Sequence, residues 1–190
     1  MRYCATCAIA LLAAGCVGPP PGRLSPLAGP ARDGDVVTLQ RLIAAGANPN
    51  VMDPGGNHWT PLLHAIHKGQ PAAVDRLLRA GADPKLAAGG LQPLLMAVGT
   101  GNAPIVRRLL DAGADPLSDD TIFLTAVSGG ALSDLDNPLL GRCNTDVVKA
   151  LLHKAPDLRV PRGRRGHLAM LFARLNNCTD VLALAARDRK

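Results

Sequence analysis

Glutamate is missing altogether: all 15 acidic residues of this 190-residue chain are Asp. Every motif that needs a Glu is excluded with it, among them the HExxH zinc helix and the calcium loop closed by Glu at its last position. Aromatic residues are nearly as scarce, with two Phe, one Trp and one Tyr. Hydrophobic types still make up 47% of the chain. The core must therefore be aliphatic and rich in Ala, which suits closely packed helices better than a β-sandwich. Charged residues reach only 19%, fewer than disordered chains carry, so the chain is expected to fold. There is no Gly-rich phosphate loop and no GxSxG elbow. No apolar run approaches the ~20 residues of a lasting membrane span.

What is present begins with an address. Arg2 is a short basic region, and Tyr3 to Ala14 form an apolar stretch of the length of a secretion signal. The segment Leu12-Ala13-Ala14-Gly15-Cys16 resembles the lipobox of bacterial lipoproteins, with Ala13 where Leu is commoner. That resemblance implies cleavage after residue 15 and a covalent lipid on Cys16. Two or three acyl chains there satisfy the requirement for stable anchoring. Val17, where Asp would hold an enterobacterial lipoprotein at the inner membrane, points to the periplasmic side of the outer membrane. Residues 16–25 then form a tether, stiffened by Pro19, Pro20 and Pro21.

A repeat runs through the remainder. RLIAAGANPN (41–50), RLLRAGADPK (76–85) and RLLDAGADPL (108–117) align, as do TPLLHAIHKG (60–69) and QPLLMAVGTG (92–101). Thr60 can cap a helix, and Pro61 at the first helical position loses no useful donor. Val74, Leu77 and Leu78 carry helical spacing, and Gly81 ends that helix as a left-handed cap. Period and motifs resemble the ankyrin repeat. The resemblance implies an all-α solenoid of about five helix-turn-helix units over residues 26–187, with projecting hairpin loops. The first unit's first helix is expected to be short or to begin at Pro30. The fourth unit carries an insert at about 131–143 in the turn between its helices. The last unit is read from His167, with LAMLFARL as its first helix.

Cleavage would leave Cys16, Cys143 and Cys178 as the mature cysteines. With Cys16 lipidated, two thiols remain in an oxidising compartment. Each precedes a second helix in a shared Thr-Asp-Val setting, so successive repeats place them on one edge of the stack. Equivalent positions in neighbouring units lie ~10 Å apart, beyond disulfide reach. The one-residue offset and the insert must close that gap for Cys143 and Cys178 to pair. His64 and His67, at i and i+3 with His58 nearby, have the spacing of metal ligands but lack a further donor. Helix-face histidines with ordinary partners are the better reading, and Asp119-Asp120 reads as a cap for the next helix.

Ankyrin resemblance implies a non-catalytic binding module, with hairpin loops and first helices lining a concave surface. The expected partner is another protein, and a toxin held off by an immunity protein is one concrete form. Met52, Asp53, His58 and Trp59 on the first hairpin, and Lys85 on the second, are the candidate contacts. Arg159, Arg162, Arg164 and Arg165 are read as a further projecting hairpin. Residues 142–190 carry a net charge of +7 and residues 1–141 a net −1. The Arg loop thus offers an alternative ligand in anionic lipid headgroups, lipopolysaccharide or peptidoglycan. The lipid signal directs the protein away from nucleic acid. No metal, enzyme activity or cofactor beyond the lipid on Cys16 is expected, and the protein is read as a monomer.

Overall fold

Ten short helices follow one another in the computed structural model, which describes residues 25–54, 57–128, 143–156, 158–160 and 163–187. They form five antiparallel pairs: α1 (Ala28–Asp33) with α2 (Val36–Ala44), α3 (Pro61–His67) with α4 (Pro71–Arg79), and α5 (Pro93–Gly99) with α6 (Ala103–Asp111). The fourth and fifth are α7 (Asp120–Ser128) with α8 (Thr145–Lys154) and α9 (Arg164–Leu175) with α10 (Thr179–Arg187). First helices pack on first helices, α1 on α3 and so on to α9; second helices pack on second helices from α2 to α10. The result is a two-row solenoid in which each unit rests only on its neighbours.

The helices start where side chains can replace missing backbone partners. The Thr60 hydroxyl accepts from the Leu63 N–H at 3.3 Å, and Asn102 and Asn144 accept from Ile105 and Val147 at 3.2 Å each. Asp119 accepts from the Thr121 N–H at 2.8 Å, as expected of a cap. Pro61, Pro71 and Pro93 each open a helix, where a lost donor costs nothing. At the other end, Gly81 has φ +87°. Its N–H donates to Leu78 O and the Ala82 N–H to Leu77 O, the Schellman closure. Asn177, at φ 53°, closes α9 in the same way through Arg174 O and Ala173 O.

First helices have neighbours on several sides and are apolar accordingly. In α3, Leu62, Leu63, Ala65 and Ile66 are all buried, and in α7 Ile122, Phe123, Ala126 and Val127 are. Second helices bury one stripe only, such as Ala73, Val74 and Leu77 in α4. Each buried Leu or Ile contributes about 2 kcal/mol of hydrophobic stabilisation before entropy is counted. Polar side chains then tie units together. Asn50 donates to Gly81 O at 2.9 Å and accepts from the Asp83 N–H at 2.8 Å. On the outer row, Asp75 meets Arg108 at 3.0 Å and Asp111 meets Lys154 at 3.3 Å.

Of the two forms expected for the first helix, short or begun at Pro30, it takes the short one: six residues from Ala28, because Leu27 takes a helical conformation and the Ala31 N–H donates to Leu27 O. One boundary differs from the sequence reading. The last unit's first helix starts at Arg164, three residues before His167, on Gly163 (φ 78°). Residues 1–24, with the signal, Cys16 and most of the 16–25 tether, lie outside the described residues, and so does the insert except for Cys143.

Candidate interaction surface

The hairpins that leave each second helix are built by local hydrogen bonds. After each Gly-Ala, a side chain turns back on the chain: Asn48 Oδ1 accepts from Asn50, Asp83 Oδ1 from Lys85 and Asp115 Oδ1 from Leu117, at 2.8–2.9 Å. In the second hairpin Ala88 and Leu91 exchange both backbone hydrogen bonds across Gly89 and Gly90, at φ 59° and 78°. Two positive φ values in a two-residue loop make the hairpin turn that matches strand twist. The hairpins touch one another, so they line one edge of the solenoid. Asn50 bridges the first to the second, and the Ser118 hydroxyl in the third donates to Gln92 Oε1 at 3.0 Å.

Met52 is 40% exposed and Leu117 59% exposed, while His58 and Lys85 also face solvent. Asp53, expected among the partner-facing residues, is instead 2% exposed. Its Oδ1 accepts from the Ser25 N–H at 2.8 Å, its Oδ2 lies 2.6 Å from His64 Nε2, and its own N–H donates to Trp59 O at 2.9 Å. A buried carboxylate needs such partners, and these three tie the chain's first described residue, the first hairpin and α3 together. Trp59 is half-buried. Its ring sits 5.4 Å from His64 and 5.1 Å from His67, centroid to centroid. A Cβ on Gly89 would come within 2.8 Å of Trp59 and collide with the Asn57 carbonyl oxygen. Trp59 thus packs between two hairpins instead of projecting from one.

The histidines have structural employment. His64 serves Asp53, and no group of three His, Cys or Asp side chains placed to hold a metal occurs among the described residues. Arg159 is exposed in the fourth connection. Arg162 lies outside the described residues. Arg164 and Arg165 are not loop residues as expected, since helix α9 begins at Arg164. The reason is local: the Gly163 carbonyl accepts from the His167 backbone N–H at 3.1 Å, and His167 Nδ1 lies 2.9 Å from it, so the helix nucleates early. Cys143 and Cys178 are joined by a disulfide with Cα atoms 5.7 Å apart. Cys143 ends the segment before α8 and Cys178 the turn after α9, so the bridge fastens the fourth unit to the fifth. The sequence reading passed over the exposed Leu117 and the Leu168, Leu171 and Leu175 stripe on α9. The i, i+3, i+7 spacing of those three leucines is also that of core positions, so the sequence carries no signal that separates them from the core.

Comparisons with known proteins agree with this architecture. A family model for ankyrin repeats, three copies, matches residues 28–120. No curated protein matches the chain. Among solved structures, the ankyrin repeat domain of human ASB11 superposes with a TM-score of 0.63 at 27% identity, covering 84% of this chain and 69% of that one. The family match ends where α7 begins, and the helix pairs α7–α8 and α9–α10 continue the two rows with the same packing. Residues 28–120 therefore match the ankyrin-repeat family, and the described chain has the ankyrin-repeat fold, an all-helical stack of paired helices whose hairpins share one edge.

Proposed function

We propose that this protein is a non-catalytic, lipid-anchored component of a cell envelope that binds another protein along its hairpin edge. Ankyrin repeats are protein-interaction modules, and a binding scaffold is the coarse function that the family supports. The observation that carries the finer reading is the continuous hairpin edge, where exposed Met52 and Leu117 flank Lys85 on three successive, mutually bonded loops. Apolar residues exposed on rigid, pre-ordered loops lose little entropy on binding. The lipobox-like LAAGC segment supports the anchor on Cys16. A toxin-neutralising role is one form this binding could take.

The test is capture of partners from envelope extract with the full-length chain, followed by competition with variants. Met52→Asp together with Leu117→Asp should lower affinity for the captured protein by at least about tenfold, the scale of one modest hot spot. Arg79→Asp on the outer helix row should leave it unchanged. The reverse pattern would sink the assignment of the surface. Cys16→Ala should separately abolish palmitate labelling and membrane retention.

A further inference from the structure

Helix α9 ends the row of first helices, packed on α7 on one side and on α10 behind. Its inward face is ordinary, with Ala169 and Ala173 fully buried. The opposite face is not. Leu168, Leu171 and Leu175 are 46, 52 and 70% exposed and fall at i, i+3 and i+7, so they form one ridge pointing away from the core. Single exposed leucines are common, but three in register are not. Arg164 continues the ridge one turn earlier, and Arg174 and His167 flank it, all exposed. The helix has no acidic residue. It also lies in the most basic stretch of the chain, with a net charge of +7 over residues 142–190 against −1 over residues 1–141.

We propose that this face docks on an anionic lipid bilayer, with Leu168, Leu171 and Leu175 entering the interfacial zone and Arg164 and Arg174 meeting headgroup phosphates. Leucines beside arginines on one helix are the composition of interfacial contact. Charge selects the occupant. A second copy would bring the same basic residues against themselves, whereas an anionic surface attracts each of them. Shape agrees, because a fluid bilayer accepts a protruding ridge without a matching groove. The inference goes beyond the protein-binding reading and leans on the envelope reading only for bringing a bilayer near.

A local reporter separates this face from any N-terminal anchor. The full-length chain carrying Trp59→Phe and Leu171→Trp has one indole, on α9. Vesicles of phosphatidylglycerol and phosphatidylcholine with brominated acyl chains should blue-shift and quench it. Arg164→Gln with Arg174→Gln should weaken that partitioning by on the order of 30-fold, and vesicles of phosphatidylcholine alone should bind as weakly. Quenching that is equal with neutral vesicles would overturn the charge argument. An unquenched indole on chain that still sediments with vesicles would overturn the proposal while leaving the anchor intact. An indole already blue-shifted without lipid would also overturn it, showing the ridge covered by a second copy if the shift follows protein concentration, and by the chain itself if not.

Discussion

Asp53 shows how much one buried carboxylate can organise. It receives the Ser25 N–H and pairs with His64 across 11 residues of sequence. Asp53→Ala would leave both partners without their acceptor in a buried place, which costs about 3 kcal/mol. Urea denaturation of the variant should show that loss, and Asp53→Asn a smaller one, because the amide oxygen can still accept one bond. A second carboxylate acts at the surface. Hydrogen bonds from Thr38, side chain first and then backbone, hold the Asp35 carboxyl below its ordinary value of 3.8. A depressed folded value means stability that is present above the unfolded value and lost as pH falls through the folded one. Asp35→Asn should therefore flatten part of the stability loss below about pH 4, measured as the difference between the two proteins' acid-unfolding curves.

At the scale of the element, two glycines with similar backbone angles carry different burdens. Gly81 sits at φ +87° with nothing within 4 Å of an added Cβ. Gly81→Ala should thus cost only the left-handed backbone penalty, about 1–2 kcal/mol. Gly81→Asn should cost less, since Asn177 occupies the corresponding cap after α9. Gly89, at φ +59°, faces the Asn57 carbonyl and Trp59. Gly89→Ala adds a collision with backbone to the same penalty, so thermal unfolding should rank it well below Gly81→Ala. It should also disturb Trp59 fluorescence, which Gly81→Ala should not.

For the whole molecule, the disulfide decides where the stack is weakest. It joins residues 35 apart, and opening a loop of that length costs about 4 kcal/mol by the chain-entropy account. In a solenoid such a loss stays near its source. Hydrogen exchange under reducing conditions should accelerate in α8, α9 and α10, with α3 to α6 nearly unchanged. Uniform acceleration along the chain would instead mean that the stack unfolds as one body.

The units, their order, the helix caps at Thr60 and Asp119 and the left-handed closure at Gly81 were legible in the sequence, because each depends on residues only a few positions apart. Helical spacing, a hydroxyl before a Pro and a Gly after an apolar run act locally, and their recurrence near every 32–35 residues identifies the repeat. The scarcity of aromatics likewise pointed to a helical, aliphatic core, while the absence of Glu excluded the motifs that need it. Long-range placement was not legible. Asp53 reads as one polar loop residue among several until Ser25 and His64 converge on it, and Trp59 reads equally as a binding anchor or as cover for the edge of the stack until the second hairpin closes over it. Arg164 reads as part of a loop until His167 bonds back to Gly163 and starts the helix early. Leu168, Leu171 and Leu175 look like core until packing of α9 on α7 and α10 leaves them on its outward face. Local chemistry chose the elements; which side chains were buried, paired or left facing outward was decided only when those elements packed, since burial depends on what arrives from elsewhere in the chain.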